Sequence, residues 1–104
     1  MVPAAELPVI GVLDWGIGGL FAVERMLSRE PTLDLAFLSD AGNTPYGRQS
    51  RVQLRASVRQ GIHRLRQMGA GPILVACHSA SSVLPDLDLD DVTGVIQPRT
   101  VPRG

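Results

Sequence analysis

Short, uninterrupted apolar runs that alternate with segments of helical periodicity are the feature that most constrains the fold of this chain of 104 residues. The runs are Val9–Leu13, Leu35–Leu38, Ile73–Ala76 and Gly94–Ile96. Continuous apolar runs are typical of strands that are buried on both faces of a parallel sheet. Their alternation with helices predicts βαβ units, and therefore an α/β fold of three layers in which a short parallel sheet of about four strands is flanked by helices.

Capping and breaking residues place the helices between these runs. Ser50 and Gln53 have the spacing of a capping box and predict the start of the longest helix, near Val52–Met68. Its expected buried stripe is Leu54, Val58, Ile62 and Leu65, and the residues expected to end it are Gly69, Gly71 and Pro72. The apolar residues of an earlier helix, Leu20, Val23 and Leu27, recur at helical spacing before Pro31, and a brief helix is expected before Pro85.

Polar residues follow three of the predicted strands at the point where each strand ends. Asp14 follows the first, the loop Asp40–Gly47 follows the second, and Cys77–Ser79 follows the third. The carboxyl ends of parallel strands lie at one edge of a sheet, and ligands of open α/β sheets bind in the crevice outside that edge. We therefore expect these residues to line one site.

Composition excludes several classes of function. Ten arginines balance ten acidic residues, so no net field favours nucleic acid. The chain contains no lysine, and a pyridoxal-phosphate enzyme needs a lysine amine for its Schiff base. No apolar stretch reaches the roughly 18–20 residues of a membrane span. We expect a cytoplasmic protein that binds neither nucleic acid nor membrane.

Cys77, the only cysteine, has two interpretations. Free cysteine is often a small buried hydrophobe. At a strand end directly before a helix, however, backbone amides and the helix dipole favour the thiolate, which can serve as a nucleophile or as a base. A phosphatase-like arrangement would need an arginine six positions on, where the chain has Val83. Cys77 with His78 and His63 lacks a recognised metal-ligand spacing, so we expect no metal site.

The remaining polar groups at this edge suit a small zwitterion. Asp14 can cap the next helix or receive a ligand ammonium group, and these two roles remain open. Tyr46 and Gly47 offer a hydroxyl group and an unobstructed amide, while Ser79 offers a hydroxyl group and a helix-start amide for a carboxylate. The glycine-rich turn after Asp14 does not match a dinucleotide loop, because Phe21 stands where the third glycine would fall.

Four segments together resemble the amino-terminal domain of glutamate racemase, in the aspartate/glutamate racemase superfamily. They are IGVLDWGIGGL, DAGNTPYG, VACHSAS and GVIQP, which occur in family order between Ile10 and Pro98. The resemblance implies one half of a two-domain α/β architecture, with a racemase-like domain over residues 8–98. We expect residues 99–104 to be a loose tail.

The resemblance also implies an activity, which is the interconversion of L- and D-glutamate without a cofactor, supplying D-glutamate for peptidoglycan. Two cysteines of the family act as acid and base on opposite faces of the substrate, and Cys77 matches one of them. The residues that match substrate-contacting positions are Asp14, Trp15, Tyr46, Gly47, His78 and Ser79.

Three departures from the family pattern leave three hypotheses open. Trp15 replaces a serine and His78 replaces an asparagine, and the chain contains no second cysteine. The chain can be a racemase domain that is inactive or feeble alone. It can be a racemase whose homodimer brings two copies of Cys77 to one substrate, glutamate or another small acidic amino acid. It can also be a non-catalytic module that binds an amino acid.

Overall fold

A four-stranded parallel sheet forms the middle layer of the protein. The structure, a computed structural model, describes residues 8–95. The strands are β1 (Val9–Asp14), β2 (Leu35–Ser39), β3 (Ala70–Val75) and β4 (Val92–Gly94), in the order β2-β1-β3-β4. Each neighbouring pair is parallel. The α/β fold with a short parallel sheet is therefore confirmed.

Helices α1 (Gly19–Arg29) and α2 (Arg51–Gln67) cover opposite faces of this sheet. Leu13 and its neighbour Leu38 point to one face, whereas Phe37 points to the other because side chains alternate along a strand. A Cβ built on Gly61 of α2 would lie 2.8 Å from Leu13, and one built on Gly19 of α1 would lie 2.9 Å from Phe37. The chain thus has the three layers that the sequence predicts.

The larger core lies between the sheet and α2. All four residues of the predicted stripe on α2 are buried there, and they pack with residues of β1, β3 and the segment that follows β3. The buried members of this core are Leu13, Tyr46, Leu54, Val58, Ile62, Leu65, Ala70, Ile73, Val75, Ala80, Val83 and Leu87. The α1 face is covered less completely: Leu20 is 45% exposed, and Phe21 on the same helix is 74% exposed.

The start and the end of α2 follow their sequence signals, whereas the start of the next strand does not. The Ser50 hydroxyl group accepts a hydrogen bond from the Gln53 amide at 3.2 Å, and the Gln53 side chain accepts one from the Ser50 amide at 3.1 Å. The helix ends at Gln67, and Gly69 with a φ of +94° turns the chain into β3. The expectation that Gly71 and Pro72 precede the third strand is wrong.

Strand β3 absorbs Gly71 and Pro72 in an irregularity of its pairing with β1. Val9 pairs with Ala70 and Gly11 pairs with Ile73, so β3 contains one more residue than β1 between these two pairs. An extra residue of this kind is a β-bulge, and proline is tolerated there because the ladder is already interrupted. The strand therefore starts three residues earlier than the sequence suggests.

After β3, the chain forms the short helix α3 (His78–Ser81), a 3₁₀ turn over Leu84–Asp86, and β4. The run Gly94–Ile96 was expected to form the fourth strand, but β4 begins two residues earlier, because Val92, Thr93 and Gly94 are the residues that pair with β3. Ile96, the rest of the GVIQP segment and the tail 99–104 lie outside the described residues, so the boundary at residue 98 stays a prediction. Among residues 8–95, no helix is long and apolar enough to cross a membrane.

Candidate active site

The ends of β1, β2 and β3 meet at one edge of the sheet, as the polar residues after these strands suggest. The Asp40 amide donates to the Asp14 carbonyl group at 2.9 Å, and the Ala76 amide donates to the Leu13 carbonyl group at 2.8 Å. These bonds extend the β1 ladders on both sides to the last residues of the strands. The segment after β1 therefore lies between the loop after β2 and the turn that contains Cys77.

Asp14 anchors the turn that leads into α1. The residue is 8% exposed, and one carboxylate oxygen accepts from the Trp15 amide at 2.8 Å while the other accepts from the Gly19 amide at 2.6 Å. Asp14 thus performs the helix-capping role that the sequence left open beside ligand binding. Each carboxylate oxygen keeps a second acceptor position, so capping does not exhaust its capacity.

Trp15 connects the turn after β1 to the loop after β2. The indole Nε1 donates to the Asn43 carbonyl group at 2.8 Å, and the Trp15 carbonyl group accepts from the Ser39 hydroxyl group at 3.2 Å. The ring is half-buried and packs against the main core. The donor that a tryptophan offers in place of serine is therefore used within the protein.

Tyr46 is a deeply buried side chain at this edge, at 2% exposure. Its hydroxyl group donates to Asp40 Oδ2 at 2.6 Å. Burial, and then the neighbouring Asp40 carboxylate, raise the pKa of Tyr46 well above its ordinary value. Charges at Cys77 and Asp14 raise this pKa further, because both groups lie within electrostatic range of the phenol. The phenol consequently stays neutral and acts as a hydrogen-bond donor.

Asp40 lies at this edge, as expected for the loop Asp40–Gly47, but its individual role is visible only in the structure. Its position directly after β2 was the available signal, since Asp14 and the Cys77 turn follow the neighbouring strands in the same way. Its partnership with Tyr46 could not be read from the sequence, because the 3₁₀ turn Tyr46–Arg48 folds the chain back toward the strand end. Asp40 fixes the direction of the phenol.

Cys77 lies at the junction between β3 and α3. It is half-buried, packs against the main core, and has an extended backbone with φ −93° and ψ 131°. Its carbonyl group accepts the Ser81 amide at 2.9 Å, which starts the short helix. The thiol group is therefore attached to the last extended residue before a turn of helix.

The two residues after Cys77 are placed differently. Ser79 is half-buried, and its hydroxyl oxygen lies 3.6 Å from where a Cβ on Gly47 would be, so Ser79 and Gly47 are neighbours. His78 is exposed at the first position of α3. The structure thus brings Ser79 to the Tyr46–Gly47 pair and leaves His78 on the outer side. Among the described residues, no group of three or more His, Cys, Asp or Glu side chains could hold a metal ion.

Comparison with known proteins places this arrangement in a family, although no family model matches the chain. The chain is 35% identical over 92 residues to glutamate racemase of Lactobacillus helveticus, and the match covers 85% of the chain and 34% of the relative. It is 33% identical over 96 residues to glutamate racemase of Latilactobacillus sakei, covering 88% of the chain and 35% of the relative. The solved structure of glutamate racemase from Aquifex pyrophilus superposes with a TM-score of 0.75 and 33% identity, over 85% of the chain and 36% of that structure.

The chain belongs to the glutamate racemase family. It spans about a third of the length of the curated relatives that it matches. The family resemblance deduced from the four sequence motifs is therefore confirmed. The sheet edge described above gathers the motif residues Asp14, Trp15, Tyr46, Gly47, Cys77 and Ser79.

Proposed function

We propose that this chain forms one side of a glutamate racemase-type active site, in which Cys77 exchanges the α-proton of glutamate without a cofactor. Membership of the family carries the proposal. The convergence of Cys77, Tyr46, Gly47 and Ser79 at one sheet edge supports it, because these groups can surround a small amino acid.

Each polar group has a role that follows from its chemistry. The free acceptor positions of Asp14 would receive the ligand ammonium group, since the buried carboxylate is already oriented by two backbone amides. The Ser79 hydroxyl group and the amide of Gly47 would receive the α-carboxylate. The neutral Tyr46 and the indole of Trp15 would form the wall on the side of the loop after β2, and His78 would lie at its outer rim.

The proposed reaction uses the sulfur atom of Cys77 on one face of the substrate. Cys77 takes the α-proton onto sulfur, and the electron pair left on the α-carbon is delocalised into the substrate carboxylate. Return of a proton from Cys77 to the same face restores the original enantiomer. Inversion requires an acid on the opposite face, and this chain contains no second cysteine. A second copy of Cys77 in a homodimer, or a separate domain, would supply that acid.

The proposed biological role is supply of D-glutamate for peptidoglycan in the cytoplasm. A non-catalytic amino-acid-binding module is the second candidate. It is favoured by one observation: Trp15 replaces a hydroxyl-bearing residue, and its single donor, the indole N–H group, bonds to the Asn43 carbonyl group.

Proton NMR of L-glutamate, and separately of D-glutamate, in heavy water with a reducing agent tests these functions. Loss of the α-proton signal is followed together with chiral analysis of the recovered amino acid. Exchange with inversion means that a second acid comes from another chain, and exchange with retention means one-sided chemistry by this domain. Both must disappear in Cys77→Ser. Absence of exchange together with measurable glutamate binding supports the binding module, and absence of both contradicts the proposal.

A further inference from the structure

The loop between β2 and α2 is held from two sides. On the sheet side, the Trp15 indole donates to the Asn43 carbonyl group at 2.8 Å. On the helix side, the Ser57 hydroxyl group of α2 accepts from the Asn43 side chain at 3.2 Å and donates to the Gln49 side chain at 2.8 Å. Asn43 and Gln49 lie on either side of the Tyr46–Gly47 pair, which is proposed to contact substrate. Both ends of this segment are therefore bonded to the Ser57 hydroxyl group.

We propose that these four residues, Trp15, Asn43, Gln49 and Ser57, form a loop latch that positions the Tyr46–Gly47 pair, with Ser57 as its junction. Asn43, Gln49 and Ser57 are positioning residues, since they act through the loop and not on the substrate, and Trp15 joins the loop to the wall of the proposed site. The substrate part of this inference rests on the proposed function. The mechanical part, that Ser57 holds Asn43 and through it Trp15, does not.

Ser57 departs from the ordinary behaviour of a serine inside a helix. Such a side chain commonly bonds to a carbonyl group of its own preceding turn. Ser28 of α1 does so, with its hydroxyl group donating to the Glu24 carbonyl group at 2.9 Å. Ser57 instead donates to one loop side chain and accepts from another, and a hydroxyl group does both through a single oxygen atom. Ser28 therefore provides a matched control for Ser57.

The latch also reaches the buried phenol. The Asn43 side chain lies 3.4 Å from Asp40 Oδ2, the oxygen that accepts the Tyr46 hydroxyl group. The Gln49 side chain donates to the Thr44 carbonyl group at 2.8 Å, which closes the loop upon itself. Release of Asn43 would therefore disturb the partner that orients Tyr46, and not only the outer surface of the loop.

Hydrogen exchange of the indole N–H tests the latch directly, because Trp15 is the only tryptophan and gives a single indole resonance. In Ser57→Ala we expect this proton to exchange about fivefold faster, the effect on local opening of losing one net hydrogen bond. Ser28→Ala should leave the rate unchanged, and Ser57→Thr, which keeps the hydroxyl group, should restore it. A rate in Ser57→Ala within about twofold of the parent, or an equal change in Ser28→Ala, overturns the latch.

Glutamate titration of the same variants tests the positioning role. The apparent dissociation constant should rise about fivefold in Ser57→Ala, return in Ser57→Thr and stay at the parent value in Ser28→Ala. Faster indole exchange with unchanged glutamate affinity overturns positioning. If the parent protein does not bind glutamate, the proposed function fails, whereas the indole exchange rates still decide whether the latch exists.

Discussion

The contact between Tyr46 and Asp40 leads to a prediction that can be worked through in detail. Tyr46→Phe removes one oxygen atom from a side chain that is 2% exposed and leaves the ring in place. The hydrogen bond that is lost is short, at 2.6 Å, and its acceptor is a carboxylate. Hydrogen bonds to charged groups contribute about 1.5–3 kcal/mol to stability, so the free energy of unfolding should fall by that amount at neutral pH.

The same contact fixes how this difference changes with pH. Burial and Asp40 raise the pKa of Tyr46 in the folded protein, while the unfolded chain titrates near the ordinary value of 10.0. The contribution of Tyr46 is therefore fully present below about pH 10 and is lost as pH rises from there toward the folded-state pKa. In that range the parent protein should lose about 1.4 kcal/mol per pH unit relative to Tyr46→Phe.

The assay is urea unfolding of both proteins between pH 7 and pH 11. Because Tyr46 is the only tyrosine, phenolate absorbance reports its ionisation without interference from other tyrosines, and it should rise only as the chain unfolds. Asp40→Asn completes a double-mutant cycle that isolates the pair. A difference in unfolding free energy that is independent of pH, or phenolate absorbance in the folded protein near pH 10, would refute the reasoning.

Three further predictions concern backbone and charge. Gly69→Ala should lower the free energy of unfolding by about 1–2 kcal/mol in urea titrations, because Gly69 has a φ of +94°. In the control Gly42→Ala, where the added Cβ likewise has no atom within 4 Å, the free energy of unfolding should fall by less, and equal losses would contradict the role of the backbone angle. Gly94→Ala should lower the free energy of unfolding by about 1–3 kcal/mol, because the added Cβ would lie 2.8 Å from the Ser81 Cβ. An unchanged urea midpoint would contradict this and show that β4 can shift away from Ser81. The Arg51 guanidinium group, and after it that of Arg55, lowers the pKa of the exposed Asp86 carboxyl group. The small difference in melting temperature between the parent and Asp86→Asn should therefore be present at neutral pH and vanish as pH falls below the ordinary value of 3.8. A difference that persists in acid or in concentrated salt would exclude the ion pair as its cause.

Features set by local chemistry were predictable from the sequence, and those set by pairing between distant segments were not. The capping box at Ser50 involves residues three apart, so its pattern is visible in the chain itself. The bulge that places Pro72 inside β3 depends on β1, about sixty residues away, and local rules for proline pointed the wrong way.

The candidate site divides in the same manner. The gathering of Asp14, the loop after β2 and Cys77 follows from the directions of parallel strands, which the apolar runs already indicate. The partners of individual side chains do not follow. The indole of Trp15 was expected to face a ligand, but its N–H group donates to the Asn43 carbonyl group. This partner depends on how closely the loop after β2 approaches Trp15, which the sequence does not specify. The role of each site residue toward a substrate stays a prediction.

The strand order has a consequence for how this chain acquires its fold. β1 is the first strand in sequence and occupies the interior of the sheet, with Ile10 paired to Leu35 on one side and Val9 paired to Ala70 on the other. A growing chain can close the shorter of these loops early, but the stripe of α2 has no complete surface to bury against until β3 arrives. Contacts of such long sequence separation slow folding. We therefore expect the rate-limiting event to be the docking of β3, and substitutions at Ile73 or Val75 to retard refolding more than substitutions in α1.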